Sequence, residues 1–234
     1  MTRRQQIIEL TIVLALIFGA YVIVRGDGPT VYPNGLTRSG ISFQVLTADT
    51  LKGGAPRSNV WREDKTQSDE WRAKQADYVG SGMDIFHLAP AGDYGSGKDK
   101  DSTFILTNAA PGDRGLNRGL WNKLERTVRE MVSPTAIVQI YTGPCYVPSG
   151  DGILRVKTLG ADKLWIPTHF GKAVVVEEEG KPPRSYAWLV ANESPRSANL
   201  DAYRVSINEL EFFWGYDCRW GLDADVEDRL EKDR

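Results

Sequence analysis

With 234 residues, 41% of them hydrophobic, the chain can bury one sizeable core, and no low-complexity block sets a part of it aside. A formal net charge of -2 excludes a globally basic coat, so any grip on a polyanion must come from a local site. The two cysteines, Cys145 and Cys218, form no Cys-x-x-Cys, and there is no His-x-x-x-His pair; this argues against a structural zinc site.

Ile7 to Val24 is an 18-residue apolar run interrupted only by Glu9 and Thr11, and it follows Arg3 and Arg4. A membrane span needs roughly 17–25 residues, and flanking basic residues keep the preceding end in the cytoplasm. Residues 1–25 are therefore expected to be an uncleaved anchor, with a cleaved signal peptide as the alternative. Either places the rest of the chain outside the cytoplasm, where a Cys145–Cys218 disulfide could form. Setting aside Arg3, Arg4, Arg25 and Glu9 leaves that remainder at -4, so the exported part is mildly acidic.

Residues 26–40, rich in Gly, Pro and Thr, read as a linker, and residues 41–234 as the folded domain. "ISFQVLTADTL" alternates like a strand, and the polar stretch after it reads as a long surface loop. "MDIFHLAP" and "STFILTNAAP" are both strand-like and joined by the polar connector "AGDYGSGKDKD". Leu116, Leu120, Trp121, Leu124, Val128 and Met131 then follow helical spacing, and Pro134 stops the helix. Three strong strand candidates follow, "TAIVQIYTGPCYV", "KLWIPTHFGKAVVVEE" and "RSYAWLVAN". After them come a short helix around "INELEFFW" and a charged, helical or frayed tail. The pattern predicts an α+β domain with a central, mainly antiparallel sheet.

His87, one of two histidines, would by itself read first as a histidine packed in a strand. The blocks around it change that reading. "GSGMDIFHLAPAGD", "TNAAPG", "NRGLWNKLERTVR", "TGPCY", "PTHFGK" and "NELEFFWGYDC" occur in this order between about residues 42 and 231. The series resembles the DNA/RNA non-specific endonucleases, the ββα-metal (His-Me finger) nucleases that include endonuclease G. Their corresponding blocks read "GSGYDRGHLAPAAD", "TNxAPQ", "NRGxWxxLExxxR", "TGPxY", "PTHFYK" and "DELExxTGxDFF". Six ordered blocks are a far more specific signal than any one of them.

The resemblance implies a metal-dependent, sugar-non-specific endonuclease that leaves 5′-phosphate ends on DNA and RNA. It implies His87 as general base, which suits an imidazole titrating near neutral pH. It implies Asn117 as the oxygen ligand of Mg²⁺, or Mn²⁺, with water and phosphate filling the other positions; the competing reading of Asn117 is a helix N-cap. Glu125 would hold one of the ion's waters. Eight residues on from Asn117, it stands about 80° around a regular helix; its alternative partner is Arg129 at i+4. Arg57 would contact the scissile phosphate with its planar fork. Arg129 and Asn108 would belong to the site, Asn108 either orienting His87 or closing a turn, and Asp84 would steer local geometry from behind it. His169 also matches but reads as structural.

Two departures stand out. The resembled Asp-Arg-Gly-His tetrad appears as Asp84-Ile85-Phe86-His87, and Gly112 stands where glutamine is usual. Losing a charge-assisted hydrogen bond of about 1.5–3 kcal/mol would slow a reaction roughly ten- to a hundred-fold. Phe86 would strain the backbone and displace His87 if position 86 needed a positive φ. The alternative function is therefore a catalytically weakened, membrane-tethered nucleic-acid-binding member, with a nuclease toxin or defence effector as a third reading. DNA, RNA and, through residues 7–24, a membrane are the expected partners; a homodimer and an inhibitor protein stay open.

Overall fold

The computed structural model describes residues 30–33 and 37–234; the anchor or signal segment lies outside them, whereas the stretch expected to be a linker, 26–40, is corrected in part, because Thr30–Pro33 within it pairs antiparallel with the next strand. Among the described residues no helix is long and apolar enough to cross a membrane. Strands β1 (Thr30–Pro33), β2 (Gly40–Leu46), β5 (Ala136–Cys145), β8 (His169–Glu178), β9 (Arg184–Ala191) and β10 (Arg204–Val205) form one sheet in the order β1-β2-β5-β8-β9-β10, every pair antiparallel. Two small hairpins stand apart from it: β3 (Asp84–His87) with β4 (Ala109–Gly112), and β6 (Lys157–Leu159) with β7 (Leu164–Ile166). The helices are α1 (Gln75–Tyr78), α2 (Gly97–Ser102), α3 (residues 114–129), α4 (Ile207–Trp214) and α5 (Ala224–Lys232). The expected α+β class with a central antiparallel sheet is what is found.

Period-two alternation sorts the sheet into two faces. Val138, Ile140, Phe170, Val174 and Val176 point one way and pack against α3 and the β3–β4 hairpin. Tyr141, Cys145, Ala173 and Val175 point the other way, onto α4 and the C-terminal segment. On that second face Gly143 and Gly171 are cross-strand partners. A Cβ on either would come within 2.9 Å of the Trp214 indole. The glycine at 171, where the resembled block has tyrosine, is thus the space that Trp214 fills. Helix α4 opens with a capping box, Ser206 Oγ accepting from Glu209 N–H and Glu209 Oε2 from Ser206 N–H, and ends at Gly215 with φ 60°.

Two further expectations are corrected. "STFILTN" is not a strand: α2 ends inside it, capped at its start by Ser96, a 3-10 turn covers Leu106–Asn108, and β4 begins only at Ala109. The second correction is at position 86, where the chain is ordinary β-strand backbone. Phe86 is not among the residues of positive φ, so it stores no strain. Its ring is fully buried and stacked on Phe170 at 3.9 Å, tilted against Trp121. Cys145 and Cys218 are both buried and unbridged.

Glu211, on α4, is 9% exposed, and burial, reinforced by the charges of Glu231 and Asp217, pushes its carboxyl up to about 8. The unfolded chain gives up this proton near 4.5, so between the two values the folded state holds more protons and stability falls as pH rises. Glu211→Gln keeps an oxygen for the Cys218 N–H bond, 2.8 Å long, without the buried charge. It is expected to gain about 1–2 kcal/mol over the parent at pH 8.5 and little at pH 5. Urea unfolding at the two pH values measures this; an equal difference at both would refute the buried-charge account.

Candidate active site

The site is built on β3, β4 and α3. The hairpin register pairs Asp84 with Gly112 and His87 with Ala109, so Asp84 and Phe86 lie on one side of β3 and Ile85 and His87 on the other. Leu88 N–H continues the pairing to the Asn108 carbonyl. Asp113 caps α3 by accepting from Leu116 N–H at 2.9 Å, and Asn192 ties the junction to the sheet through Asp113 N–H and the carbonyls of Pro111 and Pro167. Since Asp113 is the cap, Asn117 is not; it sits one turn inside the helix.

Helix α3 is not regular. A π turn covers Asn117–Trp121 between two α-helical stretches. An i→i+5 turn absorbs a residue without advancing the helix face as far, which takes up part of the 80° offset between Asn117 and Glu125. Both side chains accordingly line one cleft of about 540 Å³, with Arg57, Asp84, His87 and Arg129. The opposite stripe, Leu116, Leu120, Trp121, Leu124 and Val128, is buried in the core.

His87 is 8% exposed and held between rings, Trp61 at 4.3 Å and Phe104 edge-on at 4.9 Å. Its Nε2 is enclosed, with no hydrogen-bond partner among the described residues. Burial, then the positive charge of Arg57, pushes the imidazole down to about 3, so the ring is neutral at neutral pH. Arg57 itself is exposed, with its guanidinium 5.2 Å over the Phe104 ring.

Across the cleft, Asn117 Nδ2 donates to Asp84 Oδ2 at 2.9 Å, which leaves its Oδ1 as an acceptor. Burial raises the Asp84 carboxyl, but the hydrogen bonds from Arg118 and Asn117 and the charges of Arg118 and Arg114 outweigh it and hold the group below the usual carboxylate range. Glu125 is half-buried and accepts no hydrogen bond from another described residue. Burial raises its carboxyl, chiefly against the charge of Lys172. Arg129 is not its ion-pair partner; Arg129 Nη1 donates to Asp93 Oδ1 at 2.6 Å. An amide oxygen and an unpaired carboxylate on one cleft are hard oxygen donors, and they fit a divalent cation that retains several waters.

Asn108 stands behind the cleft. Its side chain is fully buried, accepting from Ala89 N–H at 3.0 Å and donating to the carbonyls of Ala89 and Thr103. It pins the segment after His87 and has no face on the cleft. His169, half-buried at the start of β8, contacts Thr168 and is also off the cleft.

Four residues of the site were passed over in the sequence. Trp61 lies tilted against His87, and Arg118 forks onto Asp84. Asp93, buried, takes Gln44 Nε2 at 2.5 Å as well as Arg129. Lys172, 1% exposed, donates to Thr142 Oγ1 at 2.6 Å and lies 5.4 Å over Trp121. Alternation carried a signal for the buried polar residues: Gln44, Thr142 and Lys172 all occupy positions that point toward α3 among mostly apolar neighbours.

A strand hairpin followed by a helix thus brings a histidine of the first strand to the same cleft as an asparagine and a glutamate of the helix. The model of the DNA/RNA non-specific endonuclease family matches residues 24–225. A nuclease of Nostoc sp. is 30% identical over 224 residues, covering 90% of this chain and 77% of that protein. Mitochondrial endonuclease G of Homo sapiens is 32% identical over 175 residues, covering 72% of this chain and 59% of the human protein, so the chain spans little more than half of that relative. A solved chain from the crystal structure of the EndoG/EndoGI complex superposes with a TM-score of 0.77 at 26% identity, over 86% of this chain and 89% of that one. The chain belongs to the DNA/RNA non-specific endonuclease family.

Proposed function

We propose that the chain is a metal-dependent endonuclease that hydrolyses phosphodiester bonds of DNA and RNA without strong sequence preference, leaving 5′-phosphate ends. The observation that carries this reading is the convergence on one cleft of a neutral histidine, an amide oxygen and an unpaired carboxylate. His87 takes the proton of the attacking water through Nδ1, since Nε2 is enclosed. Asn117 Oδ1 would hold Mg²⁺ or Mn²⁺, with Glu125 placed to hold one of the ion's waters, and the ion would supply charge compensation at the phosphate and the leaving 3′ oxygen. Arg57, exposed and unforked, is free to swing onto the phosphate. Its charge is one cause of the low basicity of His87, so pairing it with an anion makes His87 a better base.

A second reading has Ile85 behind it. Where the resembled tetrad has arginine, an apolar side chain lines the cleft beside Trp61, which favours a member that binds nucleic acid and cuts it poorly. The proposal includes a membrane tether, or a cleaved signal, over residues 7–24 with the catalytic domain outside the cytoplasm. It rests on the apolar run and on Arg3 and Arg4 before it. A homodimer and a protein inhibitor are compatible with the reading.

One assay separates the two. Plasmid and RNA incubated with the full chain are expected to be degraded with Mg²⁺ or Mn²⁺ and to survive with EDTA, and the cut ends should be ligated without prior phosphorylation. Degradation that persists in EDTA rejects metal dependence. Salt-sensitive binding with no cutting at any metal concentration selects the second reading.

A further inference from the structure

Two exposed arginines of α3 converge on Asp84. Arg118 holds it in a two-pronged fork, Nε to Oδ2 at 2.9 Å and Nη2 to Oδ1 at 2.8 Å, while Arg114 Nε stands 3.5 Å from Oδ1 without such pairing. The Asp84 side chain is 14% exposed and that of Arg118 68%. Asp84 Oδ2 also accepts from Asn117 Nδ2 at 2.9 Å. A carboxylate in a guanidinium fork offers acceptors only, so it can meet only the NH₂ end of the Asn117 amide. The oxygen end must then point away from Asp84. Without the fork, Asp84 could turn, and the amide would have no reason to keep one orientation over its flipped one. Residue 85 cannot do this work: its side chain leaves the other side of β3 and packs against the small cluster that includes Leu106 and Leu164.

We propose that Arg118 is a positioning residue, which through Asp84 locks the Asn117 amide with its oxygen presented to a divalent cation in the cleft. This rests on the reading of Asn117 as the ligand. Partners that orient a metal ligand from outside typically contribute roughly 10–100-fold in affinity. Arg114 shares the charge but not the fork, so its contribution is smaller.

The test is Mn²⁺ binding by calorimetry to the full chain carrying His87→Ala, with no nucleic acid and no turnover. Arg118→Ala is expected to weaken binding about tenfold or more. Arg118→Lys, which keeps the charge and loses the planar fork, should be nearly as weak, and Arg114→Ala should lose less than Arg118→Ala. Because Arg118 is exposed, its variants should melt close to the parent. Asn117→Ala is the control. If it weakens binding while Arg118→Ala does not, the positioning role alone is overturned. If Arg118→Lys restores parental binding, the effect is one of charge and the orientation argument falls. If Asn117→Ala binds Mn²⁺ like the parent, the ligand assignment fails and the proposal fails with it.

Discussion

His87→Ala is expected to slow Mg²⁺-dependent plasmid cleavage by about 10²–10⁴-fold, the usual contribution of a positioned general base. The variant removes the only titratable ring that the described residues place on the cleft, while leaving Asn117, Glu125 and Arg57 in place. Trp61 and Phe104 fix the ring from two sides, and the enclosed Nε2 leaves Nδ1 as the nitrogen that can meet a water. The same burial makes a separate, non-kinetic prediction. A ring pushed down to about 3 stays neutral, so its NMR signals should not titrate between pH 5 and 8. Cleavage by the variant at the parental rate would remove His87 from the mechanism. A ring titrating near 6.5 would show that the aromatic cage is open to water.

The second large effect is on stability. A Cβ at Gly112 would lie 2.4 to 2.8 Å from the ring and Cβ of Phe86, too close for any side chain while that ring is present. Gly112→Gln should therefore cost about 3 kcal/mol or more, at the upper end of overpacking penalties. Phe86→Gly should cost about 3–5 kcal/mol, because it empties a fully buried site stacked on Phe170. The double variant should be less damaged than the two losses added, with a coupling of at least about 1 kcal/mol. Urea unfolding of the four proteins measures this. Additivity within about 0.5 kcal/mol would mean that the two positions are independent. The two departures from the resembled motifs are thus one packing exchange, in which a ring at 86 occupies the space of a side chain at 112. Restoring glycine at 86 by itself is a poor test of activity, since it opens a cavity behind His87. Ile85→Arg carries no such penalty, because that side chain leaves the opposite side of β3 at the cleft.

Much of the site was legible because its parts are local. His87 and Asp84 are three residues apart on one strand, and Asn117 and Glu125 eight apart on one helix, so strand and helix periodicity nearly suffice to orient them. Arg129 was legible as a member of the site but not as a partner of Asp93, which comes from a distant loop. The partners of Asn108 were not legible for the same reason: its three hydrogen bonds run to Ala89 and Thr103, and nothing in "LTNAAP" announces them. The missed strand boundary at "STFILTN" reflects a tie between local propensities that the close packing of Phe104 and Leu106 broke.

By itself, then, the amino-acid order determined the class of fold, the order of its motifs and the family that those motifs resemble, because alternation and helical stripes are short-range consequences of where apolar side chains must go. Only the tertiary structure decided that Phe86 is unstrained, that a π turn turns Glu125 toward Asn117, and that Arg118 rather than residue 85 grips Asp84. It also decided that Lys172 lies buried beneath α3 beside Thr142. The physical reason is common to all four: each depends on side chains from separate segments competing for one volume or one carboxylate, and that competition exists only once the sheet, the hairpin and the helix have packed.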